Sequence, residues 1–271
     1  MNTLEKSGTA PPLQDNYSFR LIPWDNLDQK FKIAKCREQG ENDLHLSVPG
    51  LWSSTLYPEI FGVSESWMIL LSQVIRLSNE KELTETDAGP TRLSVKEFMK
   101  SAKALEVFIL RFDSTIGNER VHANSELMAS EADWIVLEAM NIALRHALAI
   151  YFYRRIYDVE PDNLQPMVIK VRESLSACKL SCDVVKRCLQ GLLWSAFIAG
   201  CEALDVQLQA SFADWFDSEM AQCYGSLGAR LRQMMQQIWD RRKNGSTRSA
   251  TWLDLLRQDA WVDEMSISCC F

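Results

Sequence analysis

Three cysteines, Cys178, Cys182 and Cys188, stand close together, and the first two are at i and i+4, where a helix would put both thiols on one face. Thiolates at that spacing begin a metal site. Zinc, however, takes four ligands, and neither a CxxC pair nor a neighbouring histidine completes the set. The cysteines of the chain, eight in all, need no disulfides, most of them read as small core side chains, and no metal ligand is assigned. Of the three histidines, His45, His122 and His146, only His146 falls inside a helical pattern, where a core or boundary imidazole is the ordinary role. A dyad of Cys201 with His146 would supply a nucleophile and a base, yet nothing in the spacing favours it. GxGxxG, GxxxxGK[ST], HExxH and GxSxG do not occur, so dinucleotide, P-loop, zinc-protease and hydrolase readings lose their usual support. No catalytic residue and no cofactor is assigned.

Two charged segments have chemistry to consider. NEKELTE at 79–85 approximates the second magnesium motif of terpene cyclases, but it places Glu80 and Leu83 where that motif needs Asp and Ser or Thr, and no DDxxD accompanies it. An all-helical enzyme with a cavity in its bundle is kept as the alternative reading and is disfavoured on that ground. Arg241, Arg242, Lys243 and Arg248 form a basic run. Unpaired on a loop, it would suit an acidic import receptor. At a helix C-terminus, the same cations would complement the dipole.

The remaining charge narrows the partners. Lys and Arg number 29 against 36 Asp and Glu, a net charge of −7, and a duplex covered in phosphates repels most of such a surface. No DNA-binding residue is assigned. The first twenty residues lack a signal-peptide apolar stretch, and the apolar run CLQGLLWSAFIAGC at 188–201 falls short of the roughly 20 residues a bilayer requires. That run reads as a buried helix. The expectation is an intracellular chain without a membrane partner. The tail SCCF does not place cysteine where prenylation needs it.

The elements follow from periodicity. Prolines at 11, 12, 23, 49 and 58 break up the start of the chain, so residues 1–55 read as an irregular lead-in, 56–265 as one helical domain and 266–271 as a tail. Beyond Pro58 apolar residues recur at three- and four-residue steps without the alternation of strands. The spacing predicts a helix from Ser64 to about residue 79, a second behind the capping box Ser94–Glu97, and a long central one within Ser125–Tyr157, apolar on nearly every side. Further helices are expected at 166–178, 182–204, 206–222, 227–242 and 251–257. The fold class is all-α, an irregular multi-helix bundle around a long central helix.

Four segments together resemble one family. LYPEIFGVSESWMILLSQVIRLSNEKE at 56–82, ALAIYFYRRIYDV at 147–159, WSAFIAGCEA at 194–203 and IWDRRKNGSTRSATWLDLLRQ at 238–258 are similar, in order and spacing, to signature stretches of the fungal-specific transcription factor domain, the regulatory region of fungal binuclear zinc-cluster regulators. Ser64 and Ser195 stand where that family usually has proline. The resemblance implies a nuclear regulatory or dimerisation module, with the cytoplasm as a second location, acting through a protein partner, a homodimer or an inducer. One such partner would be a full-length zinc-cluster factor. Family members normally carry six cysteines on two zinc ions ahead of this region, whereas the first hundred residues here contain Cys36 alone. The expectation is that the DNA-reading half is missing from this chain.

Within these signatures Arg76 and Glu202 are charged residues in apolar surroundings. A buried charge demands a partner, so each is a candidate for a structural ion pair, or for a contact with a protein partner or ligand.

Overall fold

The structure, a computed structural model, describes residues 63, 65–85, 93–112, 131–178, 183–243 and 251–253. Among the described residues every regular element is a helix and there is no strand. The helices are α1 (Glu65–Glu85), α2 (Val95–Leu110), α3 (Glu131–Ile156), α4 (Pro161–Ala177), α5 (Asp183–Glu202), α6 (Val206–Trp215) and α7 (Ala221–Lys243), with a π turn, Phe216–Met220, joining the last two. The lead-in expected over 1–55 and the tail at 266–271 lie outside these residues.

Local chemistry sets the helix starts. Ser94 Oγ accepts from the Glu97 N–H at 3.2 Å, while Glu97 Oε2 accepts from the Ser94 N–H at 3.0 Å, a complete capping box. Those bonds hold the Glu97 carboxyl below the usual carboxylate range. Asp205 caps α6 by accepting from the N–H groups of Gln207 and Leu208. α4 begins at Pro161, five residues before the expected start at 166, because proline at the first helical position gives up an N–H that would be unpaired anyway. Pro166 then lies inside the helix. The segment expected as one helix over 206–222 is α6 followed by the π turn, and the expected break at Gly225 divides α7 into two helical parts, its φ of 45° and ψ of −113° being non-helical and suited to glycine alone.

α3 is the hub. It packs against α1, α2, α4 and α5, and every residue from Ala147 to Phe152 is buried, as a helix with neighbours on all sides requires. α5 is the second hub, touching α3, α4, α6 and α7, and it is buried without interruption from Leu192 to its end at Glu202. Between them the rings of Trp67 and Trp194 meet edge-on at 5.1 Å, with Tyr151 on Trp194 at 6.0 Å. Trp252 covers this group, stacking on Tyr151 and meeting Phe197 edge-on. Burial of one such side chain stabilises by about 1.5–3 kcal/mol. The buried Trp67 indole N–H is satisfied by the Leu144 carbonyl at 3.2 Å.

Candidate functional site

The C-terminal end of α5 gathers several buried polar side chains. Here the signature Gly200-Cys201-Glu202-Ala203 is buried throughout. Glu202 has one carboxylate oxygen on Arg154 Nε of α3 at 3.1 Å and the other on Arg242 Nη2 of α7 at 2.8 Å. The three side chains are only 4–6% exposed. Each guanidinium spends a second donor nearby: Arg154 Nη1 on the Val159 carbonyl at 2.8 Å, Arg242 Nη1 on the Cys201 carbonyl at 2.6 Å.

The surrounding bonds explain why so much polarity is tolerated out of water. A helix end leaves its last carbonyls without intrahelical donors, and burying them unpaired is costly. Every carbonyl from Gly200 to Ala203 has a side-chain donor. Trp239 Nε1 reaches the Gly200 carbonyl at 2.9 Å, Arg242 that of Cys201, Gln165 Nε2 that of Glu202 at 2.9 Å, and Gln209 Nε2 that of Ala203 at 2.9 Å. Gln165 Oε1 also accepts from the Leu204 N–H at 3.2 Å. Donors from α4, α6 and α7 thus converge on one helix terminus, and the two arginines sit at the negative end of its dipole. Gly200 permits the approach of α7, since a Cβ there would lie 2.4 Å from Met235 Sδ.

A second set of contacts ties the end of α3 to α1 and α2. Arg155 pairs with Glu82, and Lys81 pairs with Asp158, which adopts a left-handed φ of 51° just beyond α3. Glu106 of α2 accepts from Tyr153 Oη at 2.7 Å and Tyr157 Oη at 3.5 Å. Burial and that carboxylate push both phenols up.

The residues singled out in the sequence separate accordingly. Glu202 is taken up by the structural ion cluster, and its partners are Arg154 and Arg242. Arg76 is half-buried on α1, with Nε on Ser72 Oγ at 3.3 Å, and burial lowers its guanidinium. Arg242, read as part of a basic surface run, points inward instead. The pull is the buried Glu202 carboxylate, which a solvated loop would not offer. Arg241 and Lys243 close α7, and Arg248 lies outside the described residues. Arg154, Gln165 and the inward role of Arg242 are what sequence reasoning missed. The available signal was the pair of Arg-Arg doublets, 154–155 and 241–242, on either side of the glutamate in the apolar signature.

Chemistry at the other candidates is muted. Cys201 is fully buried, and burial pushes its thiol well up, the reverse of what activates a nucleophile. His146 is half-buried beside Arg145, and desolvation, Arg145 and Lys170 lower it to about 4, so it is neutral at pH 7. Cys178 is buried at the C-cap of α4, whereas Cys182 and the side chain of Cys188 lie outside the described residues. Among the described residues no three His, Cys, Asp or Glu side chains are grouped to hold a metal, and no helix is long and apolar enough to cross a membrane. An open groove between α4 and α6, lined by Arg172, Phe212 and Trp215 among others, encloses about 140 Å³, below the roughly 300–1,000 Å³ of ligand pockets.

The fold and the polar closure of α5 define an all-helical domain whose most distinctive segment serves to lock helices together. The chain belongs to the fungal specific transcription factor domain family, whose sequence model matches residues 14–267. It is also similar to Arginine metabolism regulation protein II of Saccharomyces cerevisiae (strain ATCC 204508 / S288c), 25% identical over 238 residues. That alignment covers 88% of this chain and 25% of the relative, so the chain spans about a quarter of that protein's length. No solved structure matches it significantly. Family and relative together support a role in transcription regulation.

Proposed function

We propose that this domain regulates transcription in the nucleus through protein contacts, as a homodimer or with a partner, without chemistry of its own and without reading DNA itself. The observation that carries the reading is the family match over 14–267, joined to the way the signature segments are used. Trp194 and Phe197 are core, and Glu202 is committed to Arg154 and Arg242. That leaves a rigid scaffold whose outer surface is available for partners. DNA reading is supplied by a zinc-cluster segment or protein beyond these residues, since the first hundred contain Cys36 alone. Within the basic run Arg242 is engaged inside, so it does not serve nuclear import.

Electrostatics gives the test its direction. Non-specific DNA affinity comes mainly from phosphate neutralisation, and a net charge of −7 forfeits it. In a gel-shift titration at physiological salt, with metal analysis of the same sample, the purified chain is expected to shift no promoter fragment and to hold no stoichiometric zinc. Sub-micromolar, sequence-selective binding by the chain alone contradicts the proposal.

A further inference from the structure

The outward face of α2 carries charge and apolar surface that the core does not use. Its inward face, Ala102, Leu105 and Ile109, is buried against α1 and α3. On the opposite side Lys96, Lys100, Lys103, Val107 and Leu110 follow one another at alternating four- and three-residue steps, one continuous stripe along a helix. Met99 lies beside it. The lysines are exposed, and so are Met99 at 49%, Val107 at 38% and Leu110 at 50%.

The hydrogen bonds of both α2 carboxylates are made off this face, although Glu97 also feels the charge of Lys100. Glu97 serves the capping box, and Glu106 accepts from Tyr153 and Tyr157. Lys96 also stands in the first turn, where the helix dipole disfavours a cation. The stripe is therefore bipartite, cationic in its N-terminal half and apolar in its C-terminal half, within a chain of net charge −7.

We infer that this face of α2 docks a short acidic segment of a partner protein, its carboxylates on Lys96, Lys100 and Lys103 and its apolar side chains on Met99, Val107 and Leu110. Charge complementarity selects that occupant. A short peptide meets only the patch, because charges farther off than a Debye length of about 8 Å are screened. Duplex DNA or an anionic membrane would extend past the patch and face the acidic remainder of the surface. The stripe spans roughly 20 Å at 1.5 Å per residue, enough for a few turns of bound helix or a shorter extended segment. The inference rests on the regulatory reading, and it names the chemistry of the partner.

The test uses the full chain and a fluorescein-labelled synthetic peptide with Asp and Glu in one half and Leu and Phe in the other, followed by anisotropy at physiological salt. Saturable binding is expected. It should weaken at least about tenfold in K96E/K100E/K103E, and likewise in M99S/V107S/L110S, with circular dichroism melts close to the parent for both. The neutral triple K96Q/K100Q/K103Q should also weaken binding, and a peptide lacking Leu and Phe should bind less. Absence of binding, or equal affinity for the parent and both charge and apolar variants, overturns the inference. So does tighter binding to phosphatidylserine vesicles or duplex DNA through the same lysines. If the peptide fails while the chain, tethered to a heterologous DNA-binding module, still alters reporter output, the surface alone is wrong. Unchanged reporter output removes the regulatory reading beneath it as well.

Discussion

Arg242 Nη2 and Glu202 Oε2 lie 2.8 Å apart although 40 residues separate them in sequence, and neither side chain is more than 5% exposed. The pair joins the end of α7 to the end of α5, and Arg154 adds α3 to the same carboxylate. Taking one member out of such a group leaves uncompensated charge, which costs about 3–5 kcal/mol.

Glu202→Gln is therefore expected to destabilise by about 3–5 kcal/mol, lowering Tm by roughly 10 °C. Arg154→Met and Arg242→Met should each cost a similar amount alone. The Glu202→Gln/Arg242→Met double variant should cost less than the sum, because the charges depend on one another. Thermal melts of the four chains decide it, and strict additivity would show that the carboxylate is not shared.

Gly200→Ala sets two effects against each other. Alanine gains about 1 kcal/mol of helix propensity over glycine, but its Cβ would lie 2.4 Å from Met235 Sδ and 3.4 Å from Phe212 Cγ, and overpacking costs about 1–3 kcal/mol. A net loss of roughly 1 kcal/mol is expected. Met235→Ala in the same chain should remove the clash, so the double variant should be more stable than Met235→Ala alone in a urea titration.

Trp194→Ala should destabilise by about 3–5 kcal/mol, since Trp194 is buried and meets both Trp67 and Tyr151 edge-on. Trp194→Asp should not fold. If either variant melts within a few degrees of the parent, the junction of α1, α3 and α5 is not where the core lies.

The helices were legible because their cues are local. Ser94 and Glu97 are three apart, and both halves of the capping box form as that spacing predicts. The apolar run around Ala147–Phe152 required a helix surrounded by neighbours, and α3 has them. One boundary failed where a residue type permits two outcomes: Pro166 read as a helix start and lies inside α4, whereas the break expected at Gly225 is present, its backbone being non-helical between the two parts of α7. Glu202 was recognisable as a charge in need of a partner. Its partners were not, because Arg154 and Arg242 come from helices distant in sequence, and pairing at such range is set by packing and not by spacing. Arg242 looked like surface because its sequence neighbours are basic.

His146 gives a pH dependence of known sign. Desolvation beside Arg145 and Lys170 lowers it to about 4 in the fold, whereas an unfolded histidine titrates near 6.5. Between those values the unfolded chain binds the extra proton. This contribution to stability is intact above about pH 6.5, falls as pH drops toward 4, and is lost below that. His146→Gln should flatten this part of the curve of Tm against pH between 7 and 4, and an unchanged slope would place the titration elsewhere.

The regulatory claim meets its most direct test in a reporter assay. The chain is fused to a heterologous DNA-binding module in fungal cells and compared with the module alone and with the Glu202→Gln fusion at matched protein levels. The parent fusion is expected to change transcription from the module's target promoter, upward or downward, and the less stable Glu202→Gln fusion is expected to show a weaker effect. Output identical to the module alone, from a parent fusion shown to be folded and nuclear, would contradict regulation by this domain.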